Sequence, residues 1–116
     1  MSIQALANAF VDLLKAGKHD EAALAYNAPD IISIEAMEGP MAHVQGTQAV
    51  AAKATWWYAN HEIHRAESFG PYVNGEQFAV RFSMDVTPKD GARMEMEEVG
   101  LYTVRGDKIV EERFFY

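Results

Sequence analysis

The first part of the chain carries hydrophobic and polar residues with the period of a helix. Its apolar positions recur at spacings of three and four, so they share one helical face: Ile3, Leu6, Ala7, Phe10, Leu13 and Leu14. Ser2 is a suitable N-cap, and Gly17 is a suitable left-handed stop. The pattern therefore predicts an opening amphipathic helix.

The next segments predict a short helix, a strand and a longer helix. A second helix is expected over about His19–Tyr26, and Ile31–Ala36 is a compact β-branched run that predicts the first strand. Met37–Gly46 contains two glycines and a proline and is predicted to be a loop. The alanine-rich stretch Thr47–Asn60 predicts the third helix.

From Ile63 onward the hydrophobic period changes to two, which is typical of strands. Four strands are predicted at about residues 62–73, 77–88, 92–104 and 108–115. Asn74-Gly75 and Asp90-Gly91 are strong hairpin signals, because these residue types tolerate positive φ. Helices followed by an antiparallel meander indicate an α+β fold.

Composition narrows the class of protein. The 116 residues fit one domain, spanning 1–116, and the net charge of −7 disfavours a nucleic-acid partner. The absence of cysteine excludes disulfides and cysteine-ligated metals. No stretch predicts a signal peptide or a membrane span, so a cytoplasmic protein with no membrane partner is the expectation.

Four segments carry a family resemblance: FVDLLKAG at 10–17, DIISIE at 30–35, GTQAV at 46–50 and GDKIVEE at 106–112. With the order of predicted elements, they resemble the nuclear transport factor 2-like fold and, within it, the small SnoaL-like domains. The resemblance implies three helices in the N-terminal half, packed on a curved, mainly antiparallel sheet. It further implies a cone with a pocket at its wide end.

Ketosteroid isomerase, scytalone dehydratase, limonene epoxide hydrolase and polyketide cyclases share that fold, beside plain binding modules. The resemblance therefore implies a hydrophobic small molecule as partner, acid/base chemistry without a cofactor, and a homodimer formed through the outer sheet face. One departure concerns Phe10, which falls where the isomerases carry a tyrosine that donates a hydrogen bond. A phenyl ring cannot donate one. Tyr26, Tyr58 and Tyr102 are candidate substitutes.

Three carboxylates are candidate catalytic groups. Glu35 ends the first strand, near the place where the isomerases resemble this chain and carry their general base. Glu98 shares a strand face with apolar residues, and a carboxylic acid kept neutral there could donate to an oxyanion. The resemblance places the corresponding acid of the isomerases nearer Gly100. Glu112 could join Glu98 across adjacent strands, where close carboxylates share a proton. For each, a solvated or ion-paired surface side chain is the alternative.

Histidines and aromatic residues complete the predicted site. His64 is a candidate auxiliary acid/base group, and strand periodicity separates it from His61, so no metal site is predicted. Trp57 lies on the inner face of the third helix, where it would form a pocket ceiling or pack in the core. The predicted pocket-lining side chains are Trp57, Tyr102, Phe82, Met84, Met96, Phe114 and His43.

Two functions are compatible with these patterns. One is proton transfer on a hydrophobic carbonyl, enol or epoxide compound, with Glu35 as the base. The other is a non-catalytic ligand-binding or dimer-forming module, in which the same carboxylates would be exposed or ion-paired.

Overall fold

A computed structural model describes all residues, 1–116. Its helices are α1 (Ile3–Lys15), α2 (His19–Tyr26) and α3 (Thr47–Ala59). Its strands are β1 (Asn27–Ile34), β2 (His43–Gln45), β3 (His61–Asn74), β4 (Gln77–Pro88), β5 (Met94–Arg105) and β6 (Lys108–Phe115). The strands form one sheet in the order β2-β1-β6-β5-β4-β3. All pairings are antiparallel except that of β1 with β6.

Helix α1 begins and ends as its sequence predicts. The backbone N–H of Ala5 donates to Ser2 Oγ at 3.0 Å, and Gly17 beyond the last turn has φ of +75°. The apolar face of α1 is buried and packs mainly on β3. The buried residues of this face are Leu6, Ala7, Phe10, Val11 and Leu14.

Two predictions about the first strand and the loop after it are wrong in their bounds. Strand β1 begins at Asn27, four residues before Ile31, because the chain enters the sheet directly from α2. The predicted loop Met37–Gly46 contains the short edge strand β2, whose Gln45 pairs with Ile32. A strand of three residues is too short to show a period of two, which is why the pattern did not reveal it.

The helix-covered side of the sheet, called the inner face here, holds the hydrophobic core. Its central strands contribute side chains that meet the buried face of α1. A register shift between β5 and β6 places Ile109, rather than Val110, opposite Val104 in the core. Beyond this bulge, Glu112 and Phe114 pair with the inner-face residues Tyr102 and Gly100. The core members of the sheet are Ile31, Phe78, Val80, Tyr102, Val104 and Ile109.

The other side, the outer face, is covered by ion pairs and polar contacts. Arg81 donates to Glu97 at 2.9 Å, and Arg93 forms a paired contact with Asp85 at 2.8 and 2.9 Å. Glu95 also lies on this face, with 76% of its side chain exposed. None of the three helices is both long enough and apolar enough to cross a lipid bilayer.

Candidate active site

Three glutamates come from adjacent strands of the inner face. Glu112 lies on β6, next to Ser33 of β1 on one side and Tyr102 of β5 on the other. Glu98 lies further along β5, opposite Phe82 of β4. Glu35 directly follows β1 and is held near its end by a backbone bond to Ala42. The strand order β1-β6-β5 therefore brings the three predicted carboxylates, Glu35, Glu98 and Glu112, to one region.

A lysine from α3 connects two of the carboxylates. Lys53 Nζ donates to Glu35 Oε2 at 2.8 Å and to the hydroxyl of Ser33. That hydroxyl donates in turn to Glu112 Oε2 at 2.8 Å. Lys53 is only 14% exposed, and its ammonium lies 5.4 Å from the centre of the Phe114 ring. One cation thus offsets part of the charge of three acids.

The remaining oxygen of Glu35 accepts a hydrogen bond from the Tyr116 hydroxyl at 3.2 Å. The same hydroxyl accepts from the backbone N–H of Met37 at 3.5 Å. Both oxygens of Glu35 therefore have protein donors. Glu98, by contrast, has no hydrogen-bond partner among the side chains around it and is free to exchange a proton with a ligand.

Burial and like charge disfavour ionisation of Glu98. Burial is the larger cause and the negative charge of Glu35 the next, and together they raise the pKa of Glu98 to about 7. Lys53 lowers this pKa in part, and Glu112 raises it further. A carboxyl group with such a pKa populates both its acid and its base form near neutral pH, which suits general acid/base catalysis.

The pKa of Glu112 is also raised, but neighbouring groups oppose this shift. Burial raises the pKa of Glu112, while the hydrogen bond from Ser33 and the charge of Lys53 lower it. Because the acids influence one another, their protons are lost in coupled steps. The site therefore holds protons at a pH where ordinary surface glutamates are ionised.

Aromatic rings surround the carboxylates. Tyr102 is 3% exposed, stacks on Phe78 with ring centres 5.0 Å apart, and meets Phe10 edge-on at 5.1 Å. Phe114 meets Tyr102 at 6.3 Å with perpendicular rings. Phe82 reaches over Gly100, where a Cβ atom would lie 3.1 Å from Phe82 Cε2. Tyr102, Phe82 and Phe114 thus form an apolar setting for Glu98.

A cavity of about 100 Å³ shares the side chain of Phe82 with this region, but Glu35, Glu98 and Glu112 do not line it. Phe82 and Met84 of β4 form one wall, while His19 of α2 and Tyr58 of α3 lie on the helical side. Tyr58 is 41% exposed and lies at the opening. Pockets that enclose drug-sized ligands measure about 300–1,000 Å³. The cavity in this form therefore suits a small ring or chain rather than a steroid.

Two other predicted pocket-lining residues, Met96 and Trp57, do not line the cavity. Met96 is half-buried and pairs with Met84 across β4 and β5. Trp57 is half-buried on α3 and stacks on His61, with ring centres 4.2 Å apart. His61 also contacts the Trp57 carbonyl oxygen at 2.7 Å. Trp57 thus contributes to the junction of α3 with β3.

The structure does not bring the predicted histidines His64 and His43 to the carboxylates. His64 is exposed, and its Nε2 lies 2.7 Å from Thr87 Oγ1. The pairing shifts register between Ile63 and Arg65, so His64 is the extra residue of a bulge. His43 is exposed on β2 and pairs with Ile34, not with the inward-facing Ser33. The expectation that His64 faces the pocket is therefore wrong.

Sequence reasoning missed Lys53, Ser33 and Tyr116. Lys53 is the single charged residue of α3 and lies three positions after the buried Val50, on the same helical face. That spacing was the available signal. Ser33 lies two residues after Ile31, on the same face of β1, and its fully buried hydroxyl needs a partner. Tyr116 carried no such signal.

Several solved structures share this architecture. A nuclear transport factor 2-like protein from Burkholderia xenovorans is 25% identical, with a TM-score of 0.77, over 97% of this chain and 87% of that one. A protein with a ketosteroid isomerase-like fold from Catenulispora acidiphila, solved in complex with trimethylamine, is 15% identical. Its TM-score is 0.73, over 96% of this chain and 84% of that one. The fold is therefore of the nuclear transport factor 2-like class, as predicted.

A more similar structure narrows this class. A SnoaL-like protein from Mesorhizobium loti is 56% identical, with a TM-score of 0.98 over the full length of both chains. The name of that protein suggests a polyketide cyclase and also carries the words carbohydrate phosphatase. The model of the SnoaL-like domain family matches residues 1–116. The chain belongs to the SnoaL-like domain family. No curated protein sequence matches it.

Proposed function

We propose that the chain binds a small, mostly apolar carbonyl compound on its inner face and moves a proton on it without a cofactor. The observation that carries this proposal is Glu98, a partly buried carboxyl group whose pKa of about 7 allows it to accept and return a proton near neutral pH. The words polyketide cyclase in the name of the Mesorhizobium loti relative support this proposal, since closing a ring through an enolate needs a proton to be moved. The aromatic side chains around Glu98 favour an apolar ligand.

In the proposed step, ionised Glu98 takes a proton from the carbon next to a carbonyl group. The C–H bond breaks, an O–H bond forms on the carboxyl group, and the electron pair moves to the carbonyl oxygen as an enolate. Glu98 then returns the proton to a carbon of the enolate. Burial also raises the pKa of Glu112 on the adjacent strand β6. The sequence-based assignment of Glu35 as the base stays a prediction, and its oxygens are occupied by Lys53 and Tyr116.

Deuterium exchange tests this function without knowledge of the natural substrate. 4,4-Difluorocyclohexanone is a small, mostly apolar ring that carries exchangeable protons beside its carbonyl group. In D2O, the wild-type protein should accelerate loss of those proton signals in NMR above the rate in buffer. The Glu98→Gln variant should reduce the rate to that of buffer, because an amide cannot take up the proton. Glu95→Gln, on the outer face of the same strand, is the matched control and should exchange like wild type.

Equal rates for wild type and Glu98→Gln would contradict the proposed catalysis. If neither protein accelerates exchange but the ketone binds, the chain is a ligand-binding module, which is the second candidate function. The small volume of the cavity favours that alternative, since a catalyst of larger substrates would have to open further.

We also propose a homodimer through the outer face. Beside the ion pairs, this face exposes Val99 and Phe115, which pair with each other on β5 and β6. Exposed apolar groups amid compatible charges suit a second copy of the chain. Light scattering should give a dimer for wild type and a monomer for Val99→Lys. A monomeric wild type would contradict the proposal.

A further inference from the structure

The Ser33 hydroxyl has its two hydrogen-bonding sides fixed by different neighbours. Ser33 is fully buried on β1, and the ammonium group of Lys53 donates to its oxygen. An ammonium group cannot accept a hydrogen bond, so this contact has only one direction. The single proton of the hydroxyl is therefore left for Oε2 of Glu112, which lies at 2.8 Å. Lys53 in this way fixes the direction in which Ser33 donates.

That direction distinguishes the two oxygens of Glu112. Because Oε2 accepts from Ser33, an acidic proton of Glu112 belongs on Oε1. Oε1 makes no hydrogen bond to the protein, whereas every buried side-chain oxygen of this structure has a partner. Oε1 is therefore accessible, on the inner face where Glu112 pairs with Tyr102. One oxygen of the carboxyl group is held by the protein, and the other is open to a ligand.

The lysine that fixes Ser33 is itself held in place. Lys53 Nζ donates to Glu35 at 2.8 Å and lies 5.4 Å from the centre of the Phe114 ring. Its side chain is only 14% exposed. The titratable groups that face Glu112 are Lys53 from α3, Glu35 at the end of β1, and Glu98 and Tyr102 from β5. Ser33 is the neighbour that forms a hydrogen bond with Glu112.

We propose that Ser33 is a positioning residue for proton transfer: held by Lys53, it keeps Oε2 of Glu112 as an acceptor and leaves Oε1 as the oxygen that exchanges a proton with the ligand. When Oε1 gives up its proton, its O–H bond breaks and the ligand gains the proton. The carboxylate that remains is stabilised by the Ser33 hydrogen bond at Oε2, and Oε1 later takes a proton back from the ligand or from water.

The proposal deepens the proposed function and rests on the same site. It gives the inner face two proton-transfer groups, Glu98 on β5 and Glu112 on the adjacent β6. The ligand class is then restricted to compounds that lose a proton at one atom and gain a proton at another.

The sign of a pKa change tests the direction of the hydrogen bond. Burial raises the pKa of Glu112, and the hydrogen bond from Ser33 lowers it, because this bond favours the carboxylate. Ser33→Ala removes the hydroxyl, so Glu112 should titrate at a pH about one unit higher than in wild type. Ser33→Thr keeps a hydroxyl, so Glu112 should titrate as in wild type. Carbon-13 NMR measures both titrations, with the resonance assigned through Glu112→Gln.

The outer face provides a matched control. Ser83 of β4 is also buried, accepts from Arg65 at 3.1 Å and donates to Glu97 at 2.8 Å. It has the same order of cation, hydroxyl and carboxylate, on the other side of the sheet. Ser83→Ala should therefore leave the titration of Glu112 unchanged, although it also removes a buried hydroxyl.

Three results would overturn the proposal. A lower titration pH in Ser33→Ala would mean that Glu112 donates to Ser33, and an unchanged one would mean that the hydroxyl is only structural. Equal upward changes in Ser33→Ala and Ser33→Thr would assign the effect to packing. If either variant fails to fold, Ser33→Cys takes its place, since a thiol is a weak donor of similar size. Glu112 should again titrate above wild type, and a titration at or below the wild-type pH would overturn the proposal.

The pH profile of ketone deuterium exchange distinguishes positioning from catalysis. The rate should fall at high pH as Glu112 ionises, and this fall should move to higher pH in Ser33→Ala and return in Ser33→Thr. An unmoved fall would reject Oε1 as a proton-exchanging atom. A higher titration pH in Ser33→Ala without any exchange by wild type would reject the catalysis and keep the direction of the hydrogen bond. Exchange that depends on Glu98, with an unchanged titration of Glu112 in Ser33→Ala, would keep the catalysis and reject the positioning role.

Discussion

The raised pKa of Glu98 makes the stability of the protein depend on pH in a defined direction. In the unfolded chain, Glu98 titrates near 4.5, and in the folded protein its pKa is about 7. Between these values the folded state binds more protons than the unfolded state, so the free energy of unfolding falls as pH rises. Below about 4.5 and above about 7 the contribution of Glu98 is constant. Replacing Glu98 by glutamine removes this contribution.

The size of the effect follows from the two pKa values. The difference between about 7 and 4.5 corresponds to about 3 kcal/mol, at about 1.36 kcal/mol per pH unit. Glu98 is partly exposed, and solvent reduces the effect, so about 2 kcal/mol is the expected change. Between pH 4 and pH 8, wild type should therefore lose about 2 kcal/mol more stability than Glu98→Gln. The raised pKa of Glu112 acts in the same direction and remains in the variant.

Urea denaturation at pH 4, 6 and 8 measures this difference. The free energy of unfolding of Glu98→Gln should increase relative to that of wild type as pH rises, and the variant should be the more stable protein at pH 8. The matched control Glu95→Gln removes an acid from the exposed side of the same strand and should keep the wild-type pH profile. Parallel profiles for wild type and Glu98→Gln would refute the claim that the folded protein disfavours ionised Glu98.

Three further substitutions test separate parts of the structure. Lys53→Met leaves Glu35 and Ser33 without their donor, so it should lower the free energy of unfolding by about 1–3 kcal/mol at pH 8. It should also raise the pKa of Glu98 further, because the nearby positive charge is lost, and carbon-13 NMR would show this shift. An unchanged titration of Glu98 would contradict the proximity of Lys53. Gly100→Ala puts a Cβ atom about 3 Å from the side chains of Tyr102 and Phe82. It should lower the free energy of unfolding, measured by urea denaturation, by about 1–3 kcal/mol. An unchanged free energy of unfolding would mean that these rings are not packed over the strand. Ser2→Ala removes the cap of α1 and should cost about 1 kcal/mol equally at pH 4 and pH 8, whereas a pH-dependent loss would link the cap to the carboxylates.

Much of the fold follows from local patterns. The apolar spacing of α1, the alternation along β4 and the hairpin signals predicted elements close to those observed. The meander fixes strand neighbours, so alternation along β5 and β6 also placed Glu98 and Glu112 on one face. Glu35 follows β1, which pairs in parallel with β6 at the far side of the sheet. That long-range parallel pairing, which no local pattern indicates, is what brings the third carboxylate to the others.

Bulges and long side chains account for what the sequence did not reveal. One additional residue in β3 moved His64 to the outer face, and period-two reasoning has no means of locating such a residue. Lys53 would ordinarily be assigned to solvent, because its partners Glu35 and Ser33 lie far away in sequence.

Carbon-13 NMR titration of the glutamate side-chain carboxyl groups shows directly whether Glu98 binds a proton near neutral pH. With the resonance assigned through Glu98→Gln, we expect Glu98 to titrate with a midpoint of about 7. A ligand that accepts a hydrogen bond from the protonated acid should raise this midpoint. A midpoint of Glu98 near 4.5, the ordinary value for glutamate, would contradict the assignment of Glu98 as the proton-transfer group.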